Sequence, residues 1–151
     1  EATMARMARE GIAVEINLTS NDVILGVRGA DHPLRLYRDH GVPVVLSTDD
    51  QGVLRSDMTN EYVRAAREQG LDYPALKQIA RAGLHYAFLP GESLWRDYAG
   101  HVPAAPCADD LAATACRKFL DANEKARLEA DLELRLAAFE EARVARPANK
   151  S

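Results

Sequence analysis

Gly41-Val42-Pro43-Val44-Val45-Leu46-Ser47-Thr48-Asp49-Asp50 reads as a buried strand that runs straight into two adjacent carboxylates. Residues 42–46 are apolar throughout, without alternation, which is the pattern of a parallel strand covered on both faces. Just before it, Pro33 suits the first turn of a helix, with Asp31 or His32 as cap, and residues 34–40 continue that helix to Gly41. Residues 12–17 alternate Ile12, Val14 and Ile16 against Ala13, Glu15 and Asn17, which predicts an earlier strand. Leu18-Thr19-Ser20-Asn21 follows it as a set of turn formers. Residues 2–10 read as a helix closed by Gly11. That helix has no start signal, so the chain is expected to be cut from something longer. Helix, strand, helix, strand is the order of right-handed parallel α/β units. Two parallel strands alone would leave two open edges, so another segment or chain must complete the sheet.

Beyond Asp50 the sequence reads as wholly helical. Residues 59–69 stop at Gly70, and residues 74–88 begin with proline and place Leu76, Ile79, Ala80, Leu84, Ala87 and Phe88 on one face. Residues 90–98 read as a short helix and 100–106 as a Pro/Ala loop. Residues 109–139 hold one or two charged helices with Leu128, Leu132, Leu136 and Phe139 at core spacing. The tail from residue 145 reads as frayed. Residues 1–100 are expected to form the two strand–helix units, and 101–151 a helical extension.

Composition narrows the classes of function. With 47% hydrophobic and 28% charged residues, the 151-residue chain has an ordinary globular make-up. A net charge of -4 and the lack of a basic stripe argue against nucleic acid or an anionic membrane as partner. No stretch approaches the ~20 apolar residues that span a bilayer. Cys107 and Cys116 can form a disulfide in an oxidising compartment or remain buried thiols.

The carboxylates after residue 46 carry the chemistry. Ligands bind at the C-terminal strand ends of parallel α/β folds, so acids there face a pocket. Asp49 and Asp50 leave the strand in different directions, which lets one ligate a metal while the other holds a substrate. Capping of a turn or of the next helix explains the same pair from position alone.

Three segments decide between those readings. Val14-Glu15-Ile16-Asn17-Leu18-Thr19-Ser20-Asn21, His32-Pro33-Leu34 and the run from Gly41 to Asp50 resemble, in order and spacing, the last two barrel strands of the adenosine deaminase family. Thr59-Asn60-Glu61-Tyr62 and Ala87-Phe88-Leu89-Pro90 continue the likeness, which covers residues 12–95. The resemblance implies the C-terminal part of a TIM-like (β/α)8 barrel: its last two parallel strands and its C-terminal helices. It implies zinc as cofactor, a purine nucleoside as substrate and loss of ammonia from purine C6. Asp49 would be a zinc ligand and catalytic group, and Asp50 would bind the substrate at N7. Zinc in such a site lowers the pKa of water toward ~7.

The family's histidine ligands, its glutamate acid and its histidine base all precede the matched region. The remainder of the barrel must therefore come from a preceding segment or a companion chain, and this chain alone is expected to be inactive. His32, His40, His85 and His101 read as caps, surface or core residues rather than replacements. Glu15 reads as half of a structural ion pair, and Ser20 and Asn21 as loop-fixing donors to backbone. Trp95 and Tyr98 read as packing residues. Where many adenosine deaminases have proline after the two aspartates, this chain has Gln51-Gly52-Val53, which leaves the substrate open among adenosine, an AMP-like nucleotide and another aminopurine. The rival reading is a non-catalytic α/β assembly subunit.

Overall fold

The computed structural model describes residues 1–145; the tail expected to be frayed lies, from residue 146, outside them. The chain forms two compact units, residues 1–86 and residues 87 onward. The division expected at residue 100 falls inside the second unit.

The first unit is α/β, mostly helical around a small sheet. Helix α1 (Ala2–Glu10) ends at Gly11, whose φ of 65° is the left-handed stop that glycine adopts without a Cβ clash. Strand β1 (Val14–Ile16) pairs in parallel with β2 (Val44–Leu46), in the register Val14 to Val44 and Ile16 to Leu46. Ile16, Val44 and Leu46 are buried while Glu15 is exposed, as the alternation in the first strand requires. Between the strands run α2 (Leu18–Leu25) and α3 (Leu34–Asp39). After β2 come the one-turn α4 (Gln51–Leu54), then α5 (Met58–Gln69) and α6 (Tyr73–His85). Asp57 and Asp72 cap α5 and α6 by accepting the N–H of Asn60 and Ala75. One core holds the unit together: Ile16, Leu18 and Leu34 meet Val44, Leu46, Ala65, Leu71 and Ile79.

Two expectations fail here. Residues 18–21 do not end β1 as a turn but open α2, and the buried face of α6 is Ala75, Ile79 and Ala82, with Phe88 beyond the helix and fully exposed. The small side chains of Ala75 and Ala82 let α6 lie close, so the larger Leu76 and Leu84 flank the contact rather than fill it, and Ala80 is likewise only half-buried.

In the second unit, residues 90–98 are not helical. Trp95–Asp97 form β3, antiparallel to β4 (Val102–Pro103), so the chain beyond Asp50 is not wholly helical. Asp97 closes the connection by accepting the N–H of Gly100 at 3.1 Å, a local side-chain bond that outcompetes a helix. Helices α7 (Thr114–Ala122) and α8 (Glu124–Ala145) follow. Their core is Leu94, Cys107, Cys116, Ala126 and Ala130, flanked by Trp95 and Phe119. The leucines of α8 are therefore not its centre: Leu128, Leu132 and Leu136 are half-buried and Phe139 is exposed. Gly91 has no room for a side chain, since a Cβ there would lie 2.7 Å from the Cα of Asn123. Cys107 and Cys116 are joined by a disulfide, which resolves the alternative left open by the sequence.

Candidate active site

The ladder of the parallel pair ends where the N–H of Ser47 donates to the carbonyl of Ile16. The chain then turns sharply. Asp49 has a φ of 51°, and its carbonyl accepts the N–H of Gln51 at 2.8 Å while its own N–H donates to Ser47 Oγ at 3.3 Å. A left-handed conformation costs an L-residue about 1–2 kcal/mol, and residues so held concentrate at functional sites. Asp50 stands at the N-terminal boundary of α4, yet its side chain makes no capping hydrogen bond. Capping of α4 therefore does not account for Asp50, while Asp49 is a turn residue. Both aspartates are exposed just beyond the C-terminal end of the parallel pair, where the sequence reading had them facing a pocket.

Ser20 reaches Asp49 from the other strand's end. It is the third residue of α2, only 4% exposed, and its hydroxyl donates to Asp49 Oδ2 at 2.7 Å. An O–H bond to a carboxylate of this length is charge-assisted. The sequence reading had Ser20 bonding to backbone; the structure instead couples the two strand ends through side chains.

What makes α2 a helix lies 42 residues away. Its N-cap, Asn17, forms no side-chain cap, so the first amides of α2 need partners from elsewhere. Glu61, fully buried on α5, provides one: its Oε2 accepts the Thr19 N–H at 3.2 Å. Its Oε1 accepts the hydroxyls of Thr19 and of Ser56, the latter at 3.0 Å. Asn60 Nδ2 donates to both of those hydroxyl oxygens at 3.1 Å. One turn further on, Arg64 binds Asp22 at 2.6 Å, and this hydrogen bond holds the Asp22 carboxyl below its ordinary 3.8. Glu61 escaped the sequence reading as a functional residue. Its signal was there: it shares a buried i, i+4, i+8 stripe with Ala65 and Gln69, where an unpartnered carboxylate would be costly.

His32 is buried, and its ring is bonded on both sides. Nδ1 accepts the N–H of Leu34 at 3.1 Å, so the hydrogen is on Nε2, which donates to Asn21 Oδ1 at 2.9 Å. The N-cap of α3 is Pro33 and not His32, but His32 takes the first amide of the helix from one residue earlier and also fixes Asn21. Burial, helped by the Arg64 charge, pushes its pKa below 6.5. His40 closes the same helix by donating from Nδ1 to the Leu36 carbonyl at 2.8 Å. His85 stacks edge-on against Tyr86, and His101 against Trp95. A cavity of about 250 Å³ lies against β1, lined by Glu15, Asn21, His32 and Tyr37 among others, and contains neither Asp49 nor Asp50.

Zinc does not fit this chain by itself. Among the described residues no group of three or more His, Cys, Asp or Glu is placed to hold a metal ion. Asp49 can supply one anionic ligand, with Ser20 orienting it. No helix among the described residues is long and apolar enough to cross a membrane.

Comparison with known proteins joins these features. The chain is 38% identical over 93 residues to an aminodeoxyfutalosine deaminase of Streptomyces coelicolor, an alignment covering 60% of this chain and 24% of that protein. It is also 38% identical over 92 residues to adenosine deaminases of Escherichia coli and Erwinia tasmaniensis, covering 60% of this chain and 28% of each. The chain thus spans about a quarter of the length of these relatives. Residues 1–95 match the family model for adenosine deaminase, and they contain both strands, both aspartates, Ser20 and Glu61: the chain belongs to the adenosine deaminase family.

Proposed function

We propose that this chain supplies the last two strand–helix units and the C-terminal helices of a (β/α)8-barrel deaminase that hydrolyses the C6 amino group of a purine nucleoside with zinc. The observation that carries this reading is the Ser20–Asp49 hydrogen bond at the C-terminal end of the parallel pair. Such strand ends are where barrel enzymes keep their chemistry. Asp49 would supply one anionic zinc ligand, and Ser20, whose hydroxyl donates to Oδ2, would hold that carboxylate in a single orientation. Asp50, the next residue, contacts the purine at N7. Zinc, held by a completed set of ligands, would supply the Lewis-acid chemistry that lowers the pKa of a water toward ~7. The other ligands and the proton-transfer groups come from a preceding segment or a companion chain.

Relatives named for two different substrates stand at the same identity, so the nucleoside is chosen by experiment. In the completed deaminase, ammonia release is measured on a panel that includes adenosine, AMP and aminodeoxyfutalosine, beside zinc content. Asp49→Ala should lose both zinc and turnover. Asp50→Ala should keep zinc and lose on the order of 10²-fold in rate, the cost of misplacing a substrate by about 1 Å. Unchanged zinc and rate in both variants would reduce the aspartates to turn residues and leave the non-catalytic subunit as the better description.

A further inference from the structure

We infer that Glu61 is a positioning residue for Asp49, acting through α2 and Ser20. The chain of contacts is continuous. Glu61 is 0% exposed and takes the backbone N–H of Thr19 together with the Thr19 hydroxyl, so it fixes the first turn of a helix whose own cap is missing. Ser20 is the next residue, and its hydroxyl lies 2.7 Å from Asp49 Oδ2. The same carboxylate of Glu61 also takes the Ser56 hydroxyl, and Ser56 closes the excursion that begins at Asp49, its N–H donating to the Gln51 carbonyl at 3.2 Å. Glu61 therefore holds both segments that meet at the Ser20–Asp49 bond: α2 on one side and the turn after β2 on the other. Asn60 locks the arrangement by donating to both hydroxyls. A group needed only to cap α2 would require one acceptor; this one gathers three donors from the two segments that carry the site.

The inference rests on the proposed role of Asp49, and its test separates the two. In the intact, zinc-loaded deaminase, Glu61→Gln keeps the shape but turns an NH₂ toward one of the donors. It should lower kcat by about 10–100-fold, the usual effect of disturbing a group that orients a metal ligand, with KM unchanged. Ser20→Ala should lower kcat similarly, and the double variant should be no worse than Ser20→Ala alone, since both act through one bond. Amide hydrogen exchange at Thr19 and Ser20 should quicken in Glu61→Gln. If Glu61→Gln lowers Tm while kcat holds, or if its loss multiplies in full with that of Ser20→Ala, Glu61 is a structural cap and the inference is overturned. Should Glu61→Gln not fold, Ser56→Ala removes a single donor at a half-buried position and is judged by the same criteria. A wild-type protein that neither binds zinc nor releases ammonia refutes the deaminase reading instead; the exchange rates at Thr19 and Ser20 then still decide whether Glu61 holds α2.

Discussion

His32 shows how a single side chain can tie stability to pH in this molecule. Its neutral ring is used at both nitrogens, donating to Asn21 and accepting from Leu34. Protonation would put a second hydrogen where Leu34 N–H already points. Burial is the larger cause of its lowered pKa; the Arg64 charge adds to it and the Glu68 carboxylate opposes it. The unfolded chain therefore binds the proton first as pH drops. His32's contribution is complete above about 6.5 and is lost progressively as pH falls through that value toward the lower folded-state pKa. Asp22, whose carboxyl is held below 3.8, acts only in more acid solution, so the two effects occupy separate windows. Chemical denaturation between pH 8 and pH 5 should show stability falling, and His32→Asn should flatten that slope, because an amide oxygen can still accept the Leu34 N–H without taking up a proton. An equally steep slope in the variant would place the pH dependence elsewhere.

Among the elements, α7 depends most on a covalent tie. Cys116, fully buried on α7, is joined to Cys107 in the short 3₁₀ turn at Ala105–Cys107, nine residues away in sequence. Closing so short a loop restricts the unfolded chain by about 2–3 kcal/mol. Reduction, or Cys116→Ser, should therefore lower the stability of residues 87–145 by about that amount. Hydrogen exchange should quicken across α7 and the 105–107 turn, and an unaltered exchange pattern after verified reduction would contradict this. The pairing itself was not legible, because two cysteines nine apart fit a bridge or two thiols equally well. Other elements were legible where apolar period and stop signals agreed: β1, β2, and α5 with its terminal Gly70. They were not where a distant residue decides. Leu18-Thr19-Ser20-Asn21 has turn chemistry, and becomes helical because Glu61 caps it from 42 positions away. The position of Asp49 at a strand end could be read from the run before it, whereas its bond to Ser20, 29 residues distant, could not.

At the scale of the whole chain, the sheet is what needs completing. Among the described residues, β1 and β2 pair only with each other, so each keeps one edge of N–H and C=O groups unpaired. Beside them α2 exposes Val23, Ile24 and Leu25, each to about two-thirds, although these are residues that normally lose water on folding. The chemistry of the proposed function needs completing as well. Asp49 is the one ligand the proposed function assigns to this chain, and among the described residues no group of three or more possible ligands forms. Catalytic zinc takes three protein ligands and leaves a position for water, so a single aspartate cannot retain it. The proton-transfer groups that the family places earlier would be missing too, and general acid–base help is typically worth ~10²–10⁴ in rate. The purified 151-residue chain should therefore hold no stoichiometric zinc and release no ammonia from any aminopurine tested. Adding a polypeptide that carries the earlier barrel strands with a His-x-His motif should restore both together, since metal binding and assembly of the site are one equilibrium. The measurement is metal analysis beside ammonia release, for the chain alone, the companion alone and the mixture. Zinc-dependent turnover by the chain alone would show that its own side chains gather around Asp49 in a way this fold does not provide.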